Sequence, residues 1–230
     1  GTFRLQRKIV NNSLAIGLSP FLMNLCACFV VIIINKSLQH HGGDLAIGAY
    51  GIANRVVFFF VMIVMGLNQG MQPIAGYNYG AGHYDRVLKV FWQTVGWATL
   101  CTTLGFAVGV FVPEVAVRLF TSDAMMIDIA AKGFTIAVVA FPIVGIGMVA
   151  SNFFQSIGMA GKAIFLSLSR QVLFLIPCLV VVPLFFDIKG VWMALPISDA
   201  ISSVVSVVLI VGLIRKFKQS PQTIGFKGVE

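Results

Sequence analysis

The sequence predicts an all-α, polytopic membrane protein. Three observations predict it: a mean hydropathy of +0.95, a charged fraction of only 10%, and long uncharged apolar runs repeated along the 230 residues. A soluble domain carries roughly a quarter charged residues, so an ordinary soluble enzyme is excluded. With 58% hydrophobic residues, a disordered or collagen-like chain is excluded too. The net charge of +8 does not point to nucleic acid, because the basic residues stand scattered at the ends of apolar runs. That is the pattern of membrane topology.

A helix crossing a hydrocarbon core of about 30 Å needs about 20 residues at about 1.5 Å rise each. Ile9 to Asn35, Val56 to Gly82, Val90 to Pro113 and Gly133 to Gly161 contain no charge. Two further runs follow, Gln171–Phe186 behind Arg170 and Gly190–Ile214 around Asp199. The spans are expected near 12–38, 45–75, 84–112, 124–157, 161–186 and 190–216. Barrel strands are excluded, since the runs are too long and too evenly apolar. The domain expectation is one six-helix membrane lobe over residues 1–230.

Orientation follows from the loop charges. Arg4, Arg7, Lys8, Arg86, Lys89, Lys162, Arg170, Arg215, Lys216, Lys218 and Lys227 fall on the N-terminal side, and only Lys36, Arg55, Arg118, Lys132 and Lys189 on the other. Both ends are therefore expected in the cytoplasm, in a multi-pass protein of the cell membrane. The apolar run behind the basic Gly1–Val10 is longer than a cleaved signal uses. A chain opening Gly1-Thr-Phe-Arg reads as cut from something longer.

Pro20, Pro142, Pro177 and Pro196 fall inside spans, where each lost backbone donor is expected to kink a helix. In the second span Asn54, Phe58, Val61, Met65, Asn68 and Gln72 recur at three- and four-residue spacing and so share a face. Amides flanking Phe and Met suit a cavity wall for a bulky organic molecule, or equally helix–helix glue. Asn24 on the first span, and Asn152 with Gln155 on the fourth, pose the same alternatives.

Asp199 is the carboxylate deepest in a span, on a stripe with Ser202, Ser203 and Ser206. At that depth it reads as an ion or charge site, or as an Asp held by serines or by Arg170. The turn after the second span carries Gly76, Asn78, Gly80, Gly82 and then Arg86. Its glycines are expected to supply positive φ and close approach. Gly105 and Gly109 form a small-residue pair suited to close helix contact. No Ser-His-Asp set, metal motif or paired carboxylates occur, so neither an enzyme nor a metal site is expected.

The stretch Gln69-Gly-Met-Gln-Pro-Ile-Ala-Gly-Tyr-Asn-Tyr-Gly-Ala-Gly82, with Arg86 behind it, resembles the multidrug and toxic compound extrusion (MATE) family, in its prokaryotic branch. Asn152-Phe-Phe-Gln-Ser-Ile-Gly158, Gly161-Lys162, Arg170-Gln171 and Gly190-Val-Trp-Met-Ala-Leu-Pro-Ile-Ser-Asp199 fit the same family. The resemblance implies twelve helices in two lobes, of which this chain is the second. The implied partners are the missing N-terminal six-helix lobe, a small organic substrate and the lipid bilayer, with no nucleic acid. The implied activity is export of drugs or other cationic or amphiphilic compounds, with no cofactor and with coupling to a Na⁺ or H⁺ gradient. Some branches carry a carboxylate on the seventh or tenth helix. Here the first and fourth spans have none at depth, since Asp128 lies near the outer end. Three alternatives stand beside this reading: a lipid-linked oligosaccharide flippase, a non-transporting membrane subunit, and a homodimeric channel.

Overall fold

The computed structural model describes residues 7–219, with side chains from Phe21 onward except at 22, 23, 160 and 216–219. Among the described residues the regular structure is entirely helical. Helix α1 (Arg7–Gly80) is followed by α2 (Tyr84–Phe111), α3 (Pro113–Arg118), α4 (Ala124–Ala137), α5 (Phe141–Ser156) and α6 (Ala160–Leu168). A π-helical turn (Ser169–Leu175) leads into α7 (Ile176–Val181) and α8 (Pro183–Gln219). The Pro20 kink expected in the first span lies outside the described side chains, as do Arg4, Arg7, Lys8, Lys216, Lys218 and Lys227 of the loop charges.

A straight 74-residue helix would be several times longer than a membrane is thick. Gly43 breaks α1 with φ 68° and ψ −167°, a conformation open to glycine and closed to residues with a Cβ. The limbs, 7–42 and 44–80, overlie the first two predicted spans. Helix α2 overlies the third.

The fourth predicted span is not one continuous helix. It is α4 and α5, bent by 62° across a break of three residues. Pro142 sits in the first turn of α5, where its missing N–H loses nothing, so the chain breaks ahead of it. The fifth predicted span stays helical but changes pitch: the amide of Ile176 bonds the carbonyl of Gln171, five residues back. Pro177 directly follows and cannot donate to the ordinary ladder. An extra residue in the turn absorbs that loss. The end expected at 186 is interrupted at Val182, ahead of Pro183, and Asp187 with φ 47° then divides α8. At Pro196 the helical dihedrals continue without a break.

The largest core joins five helices, with Ala163 and Leu166 contributed by α6. Val64, Met71 and Ala75 of α1 meet Val87, Phe91 and Val95 of α2, Phe153 and Phe154 of α5, and Ile210 and Leu213 of α8. A second cluster, Phe134, Val138, Phe141 and Trp192, holds the α4–α5 bend against α8. Gly109 of α2 accepts Val138 and Phe134 where a Cβ would lie 2.5 Å from Val138. The Gly105–Gly109 pair therefore receives side chains from α4 and α5. Thr135 adds a hydrogen bond from its Oγ1 to the Gly109 carbonyl at 2.7 Å.

The turn after α1 closes through a left-handed glycine. Gly82 (φ 74°) lets the His83 amide reach the Asn78 carbonyl at 2.9 Å, six residues around. Asn78 Nδ2 donates to the Ile74 carbonyl at 2.8 Å. Gly76 lies against the Ser156 carbonyl, which a Cβ would approach to 3.0 Å. Gly80 does neither job, being helical with open space at its Cβ position. Arg86 is exposed at the start of α2.

Candidate cavity wall and family

The second limb of α1 borders three clefts that run into one another. The first, about 220 Å³, is lined by Asn54, Phe58 and Val61 of that limb, by Tyr50, Phe141 and Trp192, and by Arg170 and Asp199. The second, about 190 Å³, shares Arg170 and Asp199 and adds Met65, Asn152, Gln171, Ser202, Ser203 and Ser206. The third, about 510 Å³ and open, shares Met65 and Asn152 and adds Asn68, Gln69 and Gln72. The face read from three- and four-residue spacing is therefore brought together along one wall.

The members of that face are not equivalent. Phe58 is 50% exposed and Met65 44%, so both stand open to the clefts, whereas Asn68 is only 1% exposed. Neither the oxygen nor the nitrogen of the Asn68 amide has a partner. Gln72 Nε2 donates to Asn152 Oδ1 at 3.2 Å, and Asn152 Nδ2 donates to the Met148 carbonyl at 3.0 Å. That pair ties α1 to α5. Asn24 and Gln155 are exposed and border none of these clefts.

Asp199 is held by Arg170. The guanidinium Nε donates to Asp199 Oδ1 at 2.7 Å, with the Arg170 side chain 40% exposed and the Asp199 side chain 15%. Of the partners weighed for Asp199, the structure supplies the arginine. Of the serines on its stripe, Ser206 turns its hydroxyl to the backbone, Oγ donating to the Ser202 carbonyl at 2.9 Å. Arg170 and Gln171 stand in the π-helical turn, where the register differs from that of a plain helix. Gln171 Oε1 is buried without a donor. The sequence reading named Gln171 only within the family resemblance and did not place it among the site residues. Asp128, at the far end of the bundle, is exposed and paired with Lys132 at 2.7 Å.

The family model described as MatE matches residues 19–181, well over half of the chain. The chain belongs to the MATE family. It is 28% identical over 212 residues to the multidrug export protein MepA of Staphylococcus aureus, a match covering 91% of this chain and 46% of MepA. The MepA of Staphylococcus saprophyticus is 26% identical over 212 residues. Among solved structures, the MATE multidrug transporter DinF-BH matches with a TM-score of 0.78 and 34% identity. That match covers 92% of this chain and 48% of DinF-BH. An inward-facing multidrug resistance MATE transporter matches in fold with a TM-score of 0.84, over 95% of this chain and 51% of its own. This MATE chain thus spans about half the length of the curated relatives it matches. Its apolar helices, long enough to cross a bilayer, are those of a membrane protein.

Proposed function

We propose that this MATE chain is the second lobe of a cation-coupled antiporter that exports drugs and other organic, amphiphilic compounds across the cell membrane. In this reading both ends are cytoplasmic and the first lobe supplies the opposite cavity wall. Export proceeds by rocking of the lobes, driven by a Na⁺ or H⁺ gradient. One observation carries the reading: an amide, aromatic and methionine face borders contiguous clefts in an otherwise apolar helical body. A few placed polar groups on an apolar wall are what an organic ligand needs for orientation.

The test uses the full-length polypeptide in proteoliposomes. Efflux of a fluorescent aromatic cation should follow an imposed Na⁺ or proton gradient and stop when that gradient is collapsed. Efflux indifferent to both gradients would refute the coupling. Asp199→Asn should lower resistance in cells while expression stays intact; resistance at the wild-type level would remove Asp199 from the mechanism. The clefts hold a single arginine, which does not favour the oligosaccharide flippase.

A further inference from the structure

The two ends of the bundle balance their charges differently. At the end where α3 and α4 lie, Arg118 pairs with Glu114 at 3.6 Å and Lys132 with Asp128 at 2.7 Å. Asp44, Asp123 and Asp187 offset the remaining bases there, Lys36, Arg55 and Lys189. At the other end stand Arg86 and Lys89 of α2, Lys162 of α6 and Arg215 of α8, with Asp85 as the described carboxylate. None of these five forms an ion pair among the described residues. Their chain neighbours Val87, Leu88, Ala163 and Ile214 pack in one core cluster, so the four cations rim the same end of one core. The Lys162 ammonium lies 5.3 Å from the ring centre of the buried Phe154, a cation–π contact that fixes its place.

The rim continues into an apolar face. Lys89, Trp92, Gly96 and Leu100 follow at three- and four-residue spacing and so share one side of α2. Trp92 is 53% exposed and Leu100 51%, and a Cβ at Gly96 would have no neighbour within 4 Å. A notch therefore opens between an indole and a leucine on the exposed side of the helix. Unanswered cations beside an apolar notch fit a molecule with an anionic head and a hydrocarbon tail. We propose that this end of the lobe binds an anionic glycerophospholipid of the adjoining leaflet. The phosphate takes Lys89 and the neighbouring cations, the Trp92 indole sits at headgroup level, and an acyl chain lies along Gly96. Basic clusters at helix ends hold such headgroups in membrane proteins generally. A free phosphate would use the cations alone, and a soluble acidic partner would leave the notch empty. The inference goes beyond the transporter reading and does not depend on it.

The test titrates the purified full-length protein in detergent micelles with fluorescently labelled phosphatidylglycerol and, separately, phosphatidylcholine of the same chains. Anisotropy is followed against empty micelles. The wild type should bind the anionic lipid roughly tenfold more tightly, since each basic side chain near an anionic headgroup is worth about fivefold. That preference should shrink severalfold as salt rises from about 0.1 M to about 1 M, a reading that needs no variant. Arg86→Gln/Lys89→Gln/Lys162→Gln/Arg215→Gln should lose most of the preference. Arg4, Arg7, Lys8, Lys216 and Lys218 remain in that variant, so the loop-charge bias keeps its sign. Arg118→Gln/Lys132→Gln, at the opposite end, should keep the full preference. Gly96→Leu fills the notch and should weaken both lipids alike, leaving their ratio unchanged. Equal binding of the two lipids by the wild type, or a preference unchanged by salt or in the quadruple variant, overturns the inference. So does an equal loss in the opposite-end variant, or displacement of the labelled lipid by millimolar inorganic phosphate.

Discussion

The junction of α2 with α4 and α5, and the wall formed by α1, the π-helical turn and α8, treat polar groups in opposite ways. At the junction, hydroxyls are satisfied locally: Thr102 Oγ1 donates to the Ala98 carbonyl at 3.0 Å, and Thr135 Oγ1 bonds both Ala131 and Gly109. Glycines there receive aromatic and branched side chains with no space to spare. Along the wall, by contrast, Asn68 and Gln171 keep buried amide atoms without partners, and the Arg170–Asp199 pair keeps unused donors and an unused acceptor. An unpaired polar atom in a low-dielectric setting is costly. The difference teaches that the junction is built to hold and the wall is built to receive.

The contrast breaks most severely at the ion pair. Arg170→Leu strands Asp199 and should destabilise the protein by about 3 kcal/mol, the low end for a broken buried pair because the guanidinium is partly open. Chemical or thermal unfolding of the full-length protein checks this, and adding Asp199→Asn should recover most of the loss. Next comes the closed region. A Cβ at Gly133 overlaps the Trp192 indole, so Gly133→Ala should cost about 2 kcal/mol through overpacking, read in the same melts. Helix α4 would then part from α8 while the ion pair persists.

Asn68→Leu should act in the opposite sense. It removes two unpartnered buried atoms and should raise stability by about 1 kcal/mol. Organic-cation efflux should fall in the same variant, and that split between stability and transport sharpens the comparison. The smallest effect is expected at Thr135→Val, about 0.6 kcal/mol for one interhelical hydrogen bond in a membrane setting, resolvable as a lowered unfolding midpoint.

The all-helical membrane fold was legible because each apolar run is long and evenly apolar, although the fourth expected span is two helices and the fifth and sixth are interrupted. The face from Asn54 to Gln72 was legible because a helix repeats every 3.6 residues, so spacing alone puts those side chains on one wall. Breaks were less so. Pro142 and Pro177 both mark irregularities, but proline shows only that a bond is missing, not whether the chain breaks ahead of it or winds into a π turn. Asp187 carries a positive φ with no pattern to announce it. Gly80 looks in sequence like its neighbours Gly76 and Gly82, yet only those two meet a close carbonyl or a left-handed turn. The choice between serines and Arg170 as partner of Asp199 depended on the π-helical register, which no periodicity shows. Asn24 and Gln155 carry the right chemistry on helix positions that the packing leaves outside the clefts.

The central claim, that the Asn54–Phe58–Met65 face is a water-accessible substrate wall, is tested most directly by single cysteines in the full-length protein. With Cys26, Cys28, Cys101 and Cys178 replaced first, a cysteine is placed at Asn54, Phe58 or Met65, or at Phe59 or Ile63 on the other exposed side of the same limb. Each is treated with a membrane-impermeant thiol reagent, with and without an exported aromatic compound. The account predicts labelling at 54, 58 and 65 that the compound suppresses, and little labelling at 59 and 63. Equal labelling of the two sides, or labelling at 58 and 65 that no substrate protects, would contradict it.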